Sequence, residues 1–259
     1  MLVDSHCHLD RLDLKPYDGQ LQGALDKAAE VGVGHFLCVC IDLEHFDDVL
    51  TPAKEHSNIF ASVGVHPNED EGHDPSAEEL VKLAENDKVI AIGETGLDYF
   101  RSEGDLEWQR ERFRQHISAA KQSGKPLIIH MRDATEDTLR IMKEENAGEV
   151  GGVMHCFVED WQVAQQAMDL NFHISFSGIV TFNNAKELKE VARKLPKEKM
   201  LVETDSPYLA PVPFRGKPNQ PAYVKHVAEH IAELRGMSFE EVAEVTTENF
   251  FNLFHYARQ

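Results

Sequence analysis

Eight short apolar runs, "MLVDSH", "HFLCVCI", "IFASVGVH", "KVIAIGE", "KPLIIHM", "GGVMHCF", "FHISFSG" and "KMLVETD", recur along the whole chain and constrain its fold more tightly than any other feature. They are rich in β-branched residues and lack the strict alternation of a strand with one wet face, so they read as parallel strands covered on both sides. The segments between them carry a helical period. Leu21, Ala24, Leu25 and Ala28 fall at i, i+3, i+4 and i+7, and Phe46, Val49, Leu50 and Ala53 repeat the pattern. Ser76 with Glu79, and Ser238 with Glu241, have the spacing of capping boxes, while Gly32 and Gly236 stand where helices should stop. Pro52 weakens the second helix, because an interior proline removes a backbone hydrogen bond. Strand alternating with helix over 259 residues predicts an α/β fold: a single (β/α)8 TIM barrel domain over 1–259, with "SFEEVAEVTTENFFNLFHY" as an additional C-terminal helix. An open doubly wound sheet is the alternative, but no GxGxxG or Walker motif follows an early strand to favour it. The proline-rich "SPYLAPVPFRGKPNQP" reads as a long loop after the last strand.

Composition bounds what such a barrel can do. No apolar run reaches the length of a membrane span, and Asp4 and His6 interrupt the N-terminus before a signal-peptide core forms. A cytoplasmic location, no membrane association and a monomer by default are therefore expected. Cys7, Cys38, Cys40 and Cys156 show no CxxC spacing and read as reduced thiols. A formal charge of -19 repels polyanions and argues against a protein that coats DNA. Bound divalent cations can invert that field locally, so a metal-dependent nuclease is disfavoured much less.

The chemistry-bearing residues fall at the predicted strand ends: His6 and His8 on the first, His66 on the third, Glu94 on the fourth, His130 on the fifth, His155 on the sixth and Asp205 on the eighth. In this fold those ends form one rim. Within "VDSHCHLD", residues two apart share a face of an extended strand with Cα atoms about 6.6 Å apart, so both imidazoles can reach one ion. Four imidazoles and two carboxylates exceed the three protein ligands usual for one catalytic zinc, and point to two ions. Oxygen and nitrogen ligands without thiolate permit magnesium, manganese or zinc.

The motifs "DSHCHLD", "GVHP", "GETGLDY", "HMRDA", "HCF", "SFSG" and "VETDSPYLAP" together resemble the TatD-type metal-dependent hydrolases, close to the YcfH-like branch of the amidohydrolase superfamily, over essentially the whole chain. The resemblance implies that His6, His8 and Asp205 hold one ion, His130 and His155 the second, and that Glu94 bridges where many amidohydrolases use a carbamylated lysine. It also implies hydrolysis of a phosphodiester, with DNA as substrate and trimming from the 3′ end, by water activated at the ion pair and deprotonated with help from Asp205. The residues alone establish only metal-assisted hydrolysis, so a small amide, ester or lactone, or an aminoacyl ester, stays an alternative substrate, and a noncatalytic metal-binding barrel an alternative class. One departure concerns "NQP" at 219–221, where many relatives read "NEP", so no acidic role passes to Gln220.

Supporting roles follow from position. Asp4 and Glu203 each precede a ligand candidate by two residues and are expected to hydrogen-bond behind it, with core polarity as the alternative for Asp4. Arg132 follows His130 by two and is expected to grip a phosphate, unless it pairs with Asp133. His66 is a substrate contact or proton-transfer group. Arg215 and Lys217 lie in the long loop as further phosphate contacts. The remaining histidines are expected to be structural or solvated.

Overall fold

In a computed structural model that describes residues 1–258, eight parallel strands pair in chain order: β1 (Leu2–Cys7), β2 (Val33–Cys38), β3 (Ile59–Val63), β4 (Val89–Asp98), β5 (Leu127–Arg132), β6 (Gly152–Met154), β7 (Phe172–Phe176) and β8 (Met200–Val202). The helices between them, α1 (Leu21–Glu30), α2 (Phe46–Glu55), α3 (Ala77–Leu83), α4 (Glu107–Ser123), α5 (Thr135–Glu144), α6 (Trp161–Asp169), α7 (Lys186–Lys194) and α8 (Val224–Arg235), surround the sheet, and α9 (Phe239–Leu253) follows as the extra helix. This is the (β/α)8 TIM barrel expected from the alternation of strand and helix. Among the described residues no helix is long and apolar enough to cross a membrane.

Local signals mostly act as expected. The four apolar positions of the second period are buried on α2, which runs on through Pro52. Ser238 and Glu241 form the full reciprocal capping box. At α3 only half of it forms: Ser76 accepts from the Glu79 amide, while the Glu79 carboxylate turns to His73 at 2.8 Å.

The interior is an apolar plug. Inward side chains including Val3, Leu37, Ile90, Ile128, Val153 and Leu201 pack with Phe250 of α9 and with Phe254 just after it, which close the end where the strands begin. The apolar layer between sheet and helices is separate and larger. The ionisable side chains that gather around Glu94 lie at the opposite rim.

The circle closes between β8 and β1 by a single bridge, Cys7 with Ser206. Two backbone bonds continue it, from the Asp205 amide to His6 O (2.9 Å) and from the His8 amide to Ser206 O (2.8 Å). Asp4 belongs to this seam. Its carboxyl accepts from the Thr204 amide at 2.8 Å and meets the Thr204 hydroxyl at 2.6 Å, and burial raises its pKa to about 8. Of the two expectations for Asp4, core polarity is the one seen, since its carboxyl bonds the Thr204 amide and hydroxyl and no histidine ring. The strand ends also differ from the expected ones: His66 and Asp205 lie beyond β3 and β8, and Glu94 lies inside a longer β4.

His116 of α4 fixes the segment that carries His66. Its Nε2 accepts from the Val65 amide at 2.9 Å, its Nδ1 donates to Arg112 O at 2.8 Å, and Arg112 donates to His66 O at 2.9 Å. Both ring nitrogens are committed in the neutral form, and burial lowers its pKa to about 4; His173 is lowered to about 4 in the same way. An unfolded histidine titrates near 6.5, so below that pH the unfolded chain binds protons that the folded chain refuses. The stability these rings contribute is complete above about pH 6.5 and is lost as pH falls toward 4. Denaturation midpoints in guanidinium are expected to drop steadily between pH 7 and 4.5, with a shallower drop for His116→Gln. Equal slopes in the two proteins would remove His116 from this account.

Candidate metal centre

Glu94 sits at the middle of the rim because β4 is irregular there. Its register against β5 shifts between Ile92 and Thr95, and the Glu94 amide bonds Cys40 O at 2.8 Å. Such irregularities re-aim a side chain near a functional site. The second glycine of "GETG" has a plain cause: a Cβ on Gly96 would lie 2.0 Å from His130 O, at a φ of +131°. Only glycine lets the two strands approach so closely.

Each oxygen of Glu94 faces a different set of side chains. Oε2 lies 3.3 Å from His6 Nε2; that nitrogen is 3.4 Å from His8 Nε2, which is in turn 3.4 Å from Asp205 Oδ1. Oε1 lies 2.9 Å from His155 Nε2, 3.1 Å from His130 Nδ1 and 3.4 Å from His66 Nε2. The six residues expected as ligands are therefore brought together, with Glu94 between two groups.

Hydrogen bonds behind the rings decide which nitrogens are bare. His8 Nδ1 donates to Val39 O at 3.0 Å, His155 Nδ1 to Glu203 Oε1 at 3.1 Å, and His130 Nε2 to Asp98 Oδ2 at 3.1 Å. In a neutral ring the opposite nitrogen then holds a lone pair, and each of these points into the centre. His66 is the reverse. Its Nδ1 accepts from the Asn68 amide at 3.0 Å, so its Nε2 carries the proton. His66, Glu94 and His130 have the spacing of a metal-binding group, as do His6, His8 and Asp205. The tautomer makes His66 a donor into the site instead of a ligand.

This donor set fits divalent cations. His6 Nε2 and His8 Nε2 face each other at 3.4 Å beside the Glu94 and Asp205 carboxylates, and the buried His6 Nδ1 has no hydrogen-bond partner among the described residues. Burial alone would raise the Glu94 carboxyl, yet when the surrounding rings carry protons, the charge of His155 first, then that of His66 and the bond from His130, holds it well below the usual carboxylate range. Burial likewise opposes ionisation of Asp205, which His8 and His6 keep low.

Glu203, expected behind Asp205, bonds His155 instead, and it also accepts from the Cys156 amide at 2.8 Å. Asp98 was not foreseen. It is fully buried, orients His130, and accepts from Asn68 Nδ2 at 2.9 Å and from the Phe100 and Arg101 amides at 3.0 and 2.9 Å. Its signal was its place four residues after Glu94, on the same face of a strand, hidden by ending that strand too early. Arg132 makes no ion pair with Asp133 among the described residues; its guanidinium lies 3.9 Å from the Phe100 ring centroid. Arg215 lies 4.2 Å from the centroid of Phe182, and Lys217 is 5.9 Å from that of Phe214. These two are exposed on the loop after β8, outside the cluster around Glu94. Gln220 Oε1 accepts from the Tyr17 hydroxyl.

The sequence profile of the family described as TatD related DNase matches residues 3–255. The chain belongs to the TatD family. It is 49% identical over 255 residues to the uncharacterized metal-dependent hydrolase YcfH of Escherichia coli K12, covering 98% of this chain and 96% of that one. It is 45% identical over 257 residues to the uncharacterized metal-dependent hydrolase YabD of Bacillus subtilis, covering 98% and 99%. The crystal structure of YjjV, a TatD homolog from Escherichia coli K12, superposes with a TM-score of 0.89 at 32% identity, covering 98% of each chain. This TatD-family chain is accordingly a metal-dependent hydrolase, the level at which its curated relatives are themselves named.

Proposed function

We propose that this TatD-family protein is a deoxyribonuclease that hydrolyses phosphodiester bonds and trims DNA from the 3′ end. The observation that carries the reading is Arg132. The β4–β5 register pairs it with Asp98, the Tyr99 amide bonds its carbonyl at 2.9 Å, and it stands two residues beyond His130 with no carboxylate partner among the described residues. In a chain of charge -19, a free guanidinium beside the metal centre suits a substrate that brings its own negative charge. The family description, TatD related DNase, agrees with this choice.

His6, His8, Asp205 and Glu94 would hold one cation, and His130, His155 and Glu94 the other. Such cations lower the pKa of water and neutralise charge on the substrate oxygens. The chain supplies the rest. The Asp205 carboxylate takes the proton of the attacking water as its oxygen bonds phosphorus, and the P–O bond to the leaving oxygen breaks. The His66 Nε2–H is available to a non-bridging oxygen, and Arg132 holds the phosphate from the rim.

A panel of end-labelled single-stranded DNA, linear duplex and closed-circular duplex, together with carboxylic esters, amides and lactones, tests the reading under added magnesium, manganese or zinc. Stepwise shortening of the single strand and little cutting of the circle are expected, because few phosphates then need to approach the acidic body. Turnover of the acyl substrates without loss of DNA label would overturn it.

A further inference from the structure

The arginines divide sharply. Arg11, Arg110, Arg112, Arg114, Arg140 and Arg193 all pair with carboxylates. Five others make no such pair among the described residues, although the chain holds 45 acidic residues: Arg235 bonds the carbonyls of Ala192 and Leu195 and Arg258 bonds Asn252 Oδ1, while Arg101, Arg132 and Arg215 lie on loops or strand ends of the metal-bearing rim. Two of these three lie over aromatic rings instead. Phe100 is the more exposed of the two rings, at 60% of its surface, which is exceptional for a large apolar side chain in this protein. The position is fixed, because Asp98, the residue that orients His130, also accepts from the Phe100 and Arg101 amides.

An exposed phenylalanine loses free energy unless something covers it, and one ring is too small a patch to recruit a protein surface. A guanidinium on one face and solvent on the other leaves a slot for a second flat π-system. Nucleobases use such faces without regard to sequence. We propose that Phe100, backed by Arg132, is the stacking face for an unpaired base next to the phosphate being cleaved, and so selects frayed or single-stranded ends over paired duplex. The proposal rests on the nuclease reading above. It adds a specificity residue that plays no part in the bond-breaking step.

Kinetics of Phe100→Ala, Phe100→Leu and Phe100→Trp provide the test, with metal content and melting temperature measured for each. Two substrates are compared: a single-stranded oligonucleotide and the same strand with an abasic terminal nucleotide. Phe100→Ala is expected to raise KM for the natural strand about 5- to 100-fold with kcat nearly unchanged, the range of a lost base–aromatic stack. Phe100→Trp should restore KM, and Phe100→Leu should not. The abasic strand should start with a high KM in the wild type and respond little to any of the three changes. Equal losses on natural and abasic strands, or full rescue by leucine, would overturn the stacking role while leaving the nuclease reading intact. A wild-type protein that cleaves esters and no oligonucleotide would overturn both.

Discussion

Glu94→Gln is expected to lower turnover about a thousandfold and to reduce the bound metal below the wild-type stoichiometry. The amide is nearly the same size as the carboxylate, so the packing of β4 against β5 survives. What changes is charge at the one side chain whose two oxygens face different ligand groups, Oε2 toward His6 and Oε1 toward His155 and His130. A neutral amide offers one oxygen acceptor and a nitrogen that cannot accept, so it cannot join two cations. A thousandfold loss corresponds to about 4 kcal/mol of transition-state stabilisation. Metal analysis on the purified variant, alongside kcat, checks this. Wild-type metal content with wild-type turnover would exclude Glu94 as the bridge.

Asp205→Asn should act on rate more than on binding. Asp205 is 13% exposed, within 3.4 Å of His8 Nε2 and 3.7 Å of His6 Nε2, and it is the carboxylate of the centre that stays open to an incoming water. Removing its proton-accepting ability is expected to reduce kcat by about 10²- to 10⁴-fold at saturating metal, with KM changed far less. The melting temperature should fall little, because the seam bonds to its neighbours come from the Asp205 amide and from Thr204, which the substitution retains. A kcat within a few-fold of wild type would assign the proton to another group.

The barrel and the cluster of candidate ligands were legible in the sequence for a common reason: both are written in residue types at strand positions. Apolar runs reveal strands covered on both faces, and His6, His8, His130 and His155 sit at or next to where those runs end. What escaped was set by relations between strands. The role of Asp98 depends on β4 extending past Glu94 beside β5, which the apolar pattern, fading after "KVIAIGE", does not reveal. For Asp4 the sequence left open a bond behind His6 or plain core polarity, and could not show that it crosses the seam to Thr204, a partner 200 residues away. The tautomer of His66 depends on a backbone amide two residues on, and residue type cannot report it. Arg132 had a visible acidic neighbour in Asp133, yet its cation–aromatic contact comes from the preceding β–α loop.

The seam between β1 and β8 sets a clock on the enzyme's birth. His6 and His8 leave the ribosome about 200 positions ahead of Asp205 and of the Thr204 that docks on Asp4. At roughly 5–20 residues per second, that interval lasts on the order of 10–40 s. Throughout it the growing chain holds imidazoles without their carboxylate, and β1 has no β8 to complete its edge. A centre whose ligand candidates are shared between the first and last strands of the barrel is complete only once the last strand has come home.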